Sequence, residues 1–336
     1  LTFVPSRPPD DSVYAALDLG TNNCRMLVAR PVAAGGFRVV DCFSRITRLG
    51  EGVAVSGVLS ALAMERTLAA LKACADKMAR NRVTRARLVA TEACRRAANH
   101  ADFAARVYAE TGLVLDIISP HDEARLALAG CSPLMRPGVP RALVFDIGGG
   151  STELVWVRND AAGNEVEGVM SLPVGVVTLA EEHGDRLGSA EGYGDTVAEL
   201  ATRLAPFEAR HAISDHLCAG NVQMLGTSGT VTTLAALHLG LDRYDRTQVD
   251  GLDLSLADIA TVTRRLAAMS MAERADHPCI GPERADLVIA GCAILEAMCR
   301  LWPLASLRVA DRGVREGVLL GMMRDDTRHV MAGAPA

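Results

Sequence analysis

The sequence predicts an α/β protein of two domains, each built on a mixed sheet. A glycine-rich strand-turn-strand occurs twice, as Ala15-Ala16-Leu17-Asp18-Leu19-Gly20-Thr21-Asn22-Asn23 and as Leu143-Val144-Phe145-Asp146-Ile147-Gly148-Gly149-Gly150-Ser151, with the two aspartates 128 residues apart. Each copy opens a three-strand meander that gives way to alternating helix and strand patterns, the signature of mixed sheets covered by helices. The 336 residues also exceed the roughly 250–300 at which one core stops growing.

The first meander is expected at Val13–Leu19, Arg25–Ala29 and Phe37–Phe43, with a turn at Ala34-Gly35-Gly36. Arg45 to Gly52 reads as a loop. Leu59, Leu62, Leu68, Leu71 and Met78 recur at helical spacing, so 59–78 is a helix on one sheet face. Strand 87–90 leads into Thr91-Glu92-Ala93-Cys94-Arg95 and a helix from there toward Thr111, and strand 114–118 ends at Ser119-Pro120-His121-Asp122-Glu123, where another helix begins. The second half repeats the plan. Strands are expected at 142–145, 152–157 and 165–173, a helical stretch at 179–209, a strand at 222–225, a loop at 226–230, and helices as far as Arg300. Strand 306–309, loop Ala310-Asp311-Arg312-Gly313 and helix 314–323 close the chain. The domains are taken as 1–130, joined by the C-terminal helix 314–330, and 131–313. A ligand belongs in the cleft between them, at strand ends.

Composition narrows the function classes. Hydrophobic and charged shares of 49 % and 22 % are those of a globular chain, which excludes disorder and fibrous folds. No apolar run approaches the roughly 18 residues of a membrane helix, and the polar, proline-bearing start does not read as a signal peptide, so a cytoplasmic protein without membrane contact is expected. The nine cysteines are scattered without a C-x-x-C pair and read as buried reduced thiols. A net charge of −5 argues against DNA and against broad polyanion binding, so phosphate recognition must be local. Lys72 and Lys77 are the only lysines, both within a helical pattern, which excludes a Walker A loop and a Schiff-base mechanism. The eight histidines form no H-E-x-x-H and no pair at metal spacing.

The twin loops carry the chemistry. A tight turn of glycine and small polar residues can aim its N–H groups at one point, and two such turns would clamp a phosphate chain. One Asp-x-Gly hairpin is ordinary turn chemistry; two at equivalent places are not. At these residues the chain resembles the actin-like superfamily of sugar kinases, chaperone ATPases and phosphatases. Ala90-Thr91-Glu92-Ala93-Cys94-Arg95-Arg96-Ala97-Ala98-Asn99 is similar to the A-T-x-A-x-R-x-A-x-N signature of the exopolyphosphatase and guanosine pentaphosphate phosphohydrolase family. Ile117-Ile118-Ser119-Pro120-His121-Asp122-Glu123-Ala124-Arg125 resembles its I-I-S-G-x-E-E-A-R, and Phe145 to Leu154 its second phosphate loop. Ser171-Leu172-Pro173-Val174-Gly175, Gly226-Thr227-Ser228-Gly229-Thr230, Arg284-Ala285-Asp286 and Ala310 to Gly317 follow in collinear order, so the resemblance spans residues 13–323. Departures are Asn23 for serine, Pro120 for glycine and Asp122 for the first of two glutamates. The additional C-terminal helical domain of long members is not matched.

The resemblance implies two actin-like (ribonuclease H-like) domains with an interdomain phosphate-binding cleft. It implies an exopolyphosphatase that uses Mg²⁺ or Mn²⁺ on inorganic polyphosphate, and a homodimer. Glu123, at a helix start where the dipole favours a carboxylate anion, is expected as the base that activates water. Asp146 and Asp18 at the loop entrances, with Glu153, are expected to hold the metal, since Mg²⁺ takes one or two carboxylates and keeps several waters. Gly20, Thr21, Asn22, Asn23, Cys24, Gly148, Gly149, Gly150, Ser151 and Gly229 are expected to bind phosphate. Arg95, whose planar fork suits a phosphate better than a point charge does, joins them. The alternatives are hydrolysis of the 5′-γ-phosphate of guanosine pentaphosphate (pppGpp), a small-molecule kinase, and a non-enzymatic alarmone sensor.

Overall fold

The computed structural model describes residues 12–32, 36–160 and 163–332. Most of the expected turn at 34–36 and the N-terminal segment before Ser12 lie outside them. Described residues within Leu1–Ser119 and Val314–Ala336 form one compact unit, and Pro120–Gly313 form another.

In the first unit, β1 (Tyr14–Leu19), β2 (Asn23–Pro31) and β3 (Phe37–Ile46) make the expected meander. Next come α1 (Val53–Ser56), α2 (Ala61–Arg80), β4 (Arg85–Ala90), α3 (Glu92–Arg96), α4 (His100–Thr111) and the short β5 (Asp116–Ile117). The sheet order is β3-β2-β1-β4-β5, with β2 antiparallel to both neighbours and β1, β4 and β5 parallel. β1 is central because its alanines and leucines are buried on both faces. The single helix expected to open at Arg95 and run toward Thr111 is instead two, α3 from Glu92 and α4 from His100. Asn99 ties the break, its Oδ1 accepting from Leu59 N (2.8 Å) and its Nδ2 donating to Leu59 O (3.0 Å), while Ala97 turns extended.

The second unit runs α5 (Pro120–Cys131), β6 (Arg141–Ile147), β7 (Thr152–Asp160), β8 (Gly163–Leu172), α6 (Val176–Leu187), α7 (Ala190–His211) and α8 (Ile213–Cys218). It continues through β9 (Val222–Thr227), α9 (Ser228–His238), α10 (Arg246–Val249), β10 (Asp253–Ser255), α11 (Leu256–Ala268), α12 (Met271–Asp276), α13 (Val288–Leu301) and β11 (Ser306–Ala310). Its sheet order is β10-β11-β9-β6-β7-β8. Without the edge strand β10, this is the order of the first sheet, so both units follow the ribonuclease H-like plan that actin-like domains share. The closing α14 (Val314–Ala332) belongs to the first unit, where Tyr14 Oη donates to Asp326 (2.7 Å) and Arg85 pairs with the same carboxylate. The sequence reading divides the chain after residue 130; by its packing on β7 and β8, α5 groups with the second unit.

Three further expectations in this unit differ. The helix foreseen over 179–209 is interrupted at Gly188-Ser189, because Ser189 caps a new helix by accepting from Gly192 N at 3.1 Å. The segment 226–230 is no loop: β9 runs to Thr227, and α9 starts at Ser228, whose φ of 79° turns the chain directly from strand to helix. β10 was not foreseen, being three residues paired to β11.

Strand alternation sorts the two faces of the second sheet. Leu143, Phe145, Ile147, Leu154, Trp156 and Met224 pack under α6, α7, α9, α11 and α13. Ala142, Val144, Val155, Val157, Leu225 and Ala310 point the other way, under α5. Asp146 and Glu153 have the parity of this second set.

Candidate active site

Both glycine-rich turns have the same main-chain wiring. In the second unit Gly148 N donates to Ser151 O (3.0 Å), while the carbonyls of Gly148 and Gly149 accept from Val176 N (3.0 Å) and Val177 N (2.8 Å) at the start of α6. In the first unit Gly20 N donates to Asn23 O (2.9 Å); Thr21 O accepts from Gly50 N (2.9 Å), and Asn22 O from Thr47 N (2.9 Å) and Arg48 N (3.0 Å). The carbonyls are thus tied back. Among the described residues the amides of Gly149, Gly150 and Ser151, and those of Thr21 and Asn22, have no protein acceptor. Two amide cradles result, each of the kind that binds anionic oxygens. Their backing is tight: a Cβ on Gly175 would collide with the Gly149 carbonyl, and one on Gly50 with the Thr21 side chain.

A polar row crosses the second sheet beside its cradle. Register pairs Ala310 with Thr227, Thr227 with Asp146, Asp146 with Glu153 and Glu153 with Ser171. These residues therefore sit on neighbouring strands about 4.8 Å apart, on one face. Glu153 is only 1 % exposed and its Oε1 accepts from Ser151 Oγ (2.7 Å) and Ser171 Oγ (3.0 Å). Thr227 donates its hydroxyl to the Arg312 carbonyl, so it leaves the N-terminus of α9 without a side-chain cap. The first-turn amides at Gly229 and Thr230 are then available to an anion. Helix α5 passes over this face. Its first turn, with His121, lines a groove along β8, and its last turn meets Arg312 and Gly313, where Cys131 Sγ donates to Arg312 O (3.5 Å) and a Cβ on Gly130 would strike the Gly313 carbonyl. Glu123 is buried in that first turn, at the positive end of the helix dipole. Glu123, Asp146, Glu153, Ser151, the three glycines and Gly229 therefore share one unit, with Asp146 and Glu153 on the sheet face that α5 covers.

The equivalent row of the first unit has different charge. Asp18 pairs with Arg25 and with Val89, and Arg25 with Ser44, so an arginine stands where the second unit has Glu153. Burial raises the carboxyl of Asp18 above its ordinary range, against the pull of Arg315 and Arg25, and Glu316 adds to the rise. Around this cradle the buried Thr21 Oγ1, Asn22 Oδ1, Asn23 Oδ1 and Thr47 Oγ1 have no hydrogen-bond partner among the described residues. Cys24 is buried behind it, with its thiol raised first by the neighbouring Cys74 and then by burial. Arg95, in α3, turns its Nε (3.0 Å) and Nη2 (2.8 Å) onto Glu92 Oε2 and its Nη1 onto the Ile118 carbonyl (3.0 Å). A ligand phosphate would have to share this guanidinium with Glu92.

The donor set around Asp146 and Glu153 is all oxygen, two carboxylates with the hydroxyls of Ser151, Ser171 and Thr227, which suits a hard cation. Among the described residues no three His, Cys, Asp or Glu side chains group as a full ligand set. Mg²⁺ is commonly held by one or two carboxylates while water and substrate oxygens complete the shell. Asp18 lies in the other unit with arginine neighbours. Sequence reasoning missed Glu92, Thr47, Ser171 and Thr227. Ser171 opens the Ser171-Leu172-Pro173-Val174-Gly175 block, but only the β7–β8 register shows that it faces Glu153.

The profile of the Ppx/GppA phosphatase family matches residues 27–326. Among solved structures, an Aquifex aeolicus PPX-GPPA enzyme is 30 % identical, covering 92 % of this chain and 99 % of its own, with a TM-score of 0.75. A protein described as exopolyphosphatase-like is also 30 % identical, over 94 % of this chain and 98 % of its own, with a TM-score of 0.80. An exopolyphosphatase from Cytophaga hutchinsonii, at 23 % identity over 94 % and 98 % of the two chains, has the same fold with a TM-score of 0.83. Among the described residues no helix is long and apolar enough to cross a membrane.

Proposed function

The chain belongs to the Ppx/GppA phosphatase family, and from that premise we propose that it is an exopolyphosphatase, releasing terminal orthophosphate from inorganic polyphosphate by direct attack of water. The observation that carries the reading is the free amide cradle of Gly149 to Ser151 beside the Asp146–Glu153 pair, on the face that α5 covers. Amides take phosphoryl oxygens without moving, and such fixed dipoles are what a dispersed phosphoryl-transfer transition state needs. Gly229 at the start of α9 adds a further donor from the same unit.

Glu123 accepts a proton from the attacking water as its oxygen bonds to the terminal phosphorus. The anhydride P–O bond breaks, and the shortened chain leaves with that bond's electrons. Ser151 and Ser171 fix Glu153. Asp146 and Glu153 would hold Mg²⁺ or Mn²⁺, which supplies neutralisation of phosphoryl charge when bound. The amides of Thr21 and Asn22 bind phosphate oxygens, and Arg95 joins them by exchanging its bond to Glu92 for one to phosphate.

The test is orthophosphate release measured side by side on long polyphosphate, tripolyphosphate, pppGpp and ATP, each with Mg²⁺ and with chelator. The proposal expects polyphosphate to be turned over fastest in the metal-containing series. Faster release from pppGpp would make the protein a guanosine pentaphosphate phosphohydrolase, and transfer of phosphate to an added acceptor would make it a kinase.

A further inference from the structure

On the opposite face of the second sheet from Asp146, the helix layer holds a pocket of about 590 Å³ that is partly open to solvent. It is lined by the break around Gly188-Ser189 between α6 and α7, and by residues of α11, α12 and α13. It falls within the roughly 300–1,000 Å³ of small-molecule sites. Leu187, Leu256, Ile259 and Ile289 give it an apolar wall.

The polar groups at its edge are lopsided in charge. Arg264, Arg274 and Arg300 reach it from three helices, against the single carboxylate of Glu296. Glu296 is already satisfied: Oε1 pairs with Arg300 (2.6 Å) and Oε2 accepts from Tyr193 Oη (2.9 Å). Arg274 is held by donation to the carbonyls of Met269 (3.2 Å) and Ala285 (3.1 Å), which fixes the guanidinium and leaves its charge unbalanced. Arg264 donates to Thr261 Oγ1 at 3.2 Å. Among the described residues neither of these two arginines has a carboxylate partner.

We propose that this cavity is a second ligand site, separate from the phosphatase centre, that takes a small amphipathic anion, its apolar body among Leu187, Ile259 and Ile289 and its carboxylate or phosphate head on Arg264 and Arg274. One wall residue makes the site testable without touching that centre. Gly194 lines the cavity, and a Cβ there would meet nothing within 4 Å, so a larger side chain would grow into the void.

The probe is decanoate, titrated calorimetrically into the full chain, with decyltrimethylammonium as the oppositely charged control. Saturable binding of decanoate and none of the cation is expected. Gly194→Leu should abolish it, and Arg264→Ala with Arg274→Ala should weaken it at least about tenfold, the loss expected from charge-assisted hydrogen bonds. Phosphate release should stay at the parental rate in all variants, which also shows that they fold. Absence of saturable binding to the parent, equal binding of the cation, or undiminished binding in a folded Gly194→Leu would overturn the proposal.

Discussion

Substituting Gly175 by alanine perturbs the second amide cradle from behind without removing any group that could touch substrate. The new Cβ would lie 2.5 Å from the Gly149 oxygen and 2.6 Å from the Gly148 oxygen, so the loop and α6 must separate by the better part of an ångström. The bonds from Val176 N and Val177 N to those carbonyls stretch together. Overpacking of this kind costs about 1–3 kcal/mol, less than the roughly 5–15 kcal/mol that holds a domain folded. The variant should therefore fold with a lower Tm. A misplacement of about 1 Å in a positioning group costs on the order of 10²-fold in rate, so kcat/KM for orthophosphate release should drop by about that factor. Gly184→Ala is the control, in the middle of α6 where a Cβ meets nothing within 4 Å; it should keep the parental rate and gain roughly 0.5–1 kcal/mol. Parental kcat/KM in a folded Gly175→Ala would refute the link between the backing of the cradle and catalysis.

Ser171→Ala removes one of the two hydroxyls on Glu153 Oε1; such outer partners are worth roughly 10–100-fold in metal affinity or activity, so half-saturation by Mg²⁺ should rise, and an unchanged metal titration would contradict the role. Asp146→Asn should lose most activity and chelator should abolish it, whereas full turnover in excess chelator would remove the metal from the scheme. Arg95→Ala should raise KM and lower kcat together, with Arg95→Lys restoring only part because lysine lacks the bidentate fork; unchanged constants would mean that Arg95 stays with Glu92 throughout. The raised carboxyl of Asp18 predicts a pH-dependent gain on its removal. Folding favours the protonated acid, so as pH rises above the ordinary value of 3.8 the unfolded chain releases a proton that the native state still holds, and stability falls. Asp18→Asn should raise Tm more at pH 7 than at pH 4, and an equal change at both would show that burial does not oppose this charge.

Much of this architecture is legible in the sequence because strands and tight turns leave local marks. The alternation around Asp18 and Asp146, and the glycines two residues later, give both meanders, both cradles and the duplication of the sheet plan. What was missed depends on partners distant in the chain. The break at Ala97–Asn99 exists because Asn99 bonds Leu59, forty residues away, and helical periodicity continues through it. The break at Gly188-Ser189 was readable in principle, since serine followed by a new apolar stripe is a capping signal. The charge difference between the rows was also present, as Arg25 and Glu153 each stand seven residues after their aspartate, but its meaning needs the hairpin register. Glu92 falls at an x of the A-T-x-A-x-R signature, and only the folded α3 shows that it holds Arg95.

The assignment of Glu123 as the group that takes the proton from water is tested most directly by comparing orthophosphate release from polyphosphate by the parent and by Glu123→Gln. Glutamine keeps the shape of a side chain buried in the first turn of α5 and loses its basicity. A positioned general base contributes about 10²–10⁴ in rate, so kcat should fall by that factor while polyphosphate binding is retained or tightened. A Glu123→Gln enzyme that releases phosphate within a few-fold of the parent would contradict the assignment, and the base would then have to be sought elsewhere, with Asp122→Asn and Glu153→Gln the next variants to measure.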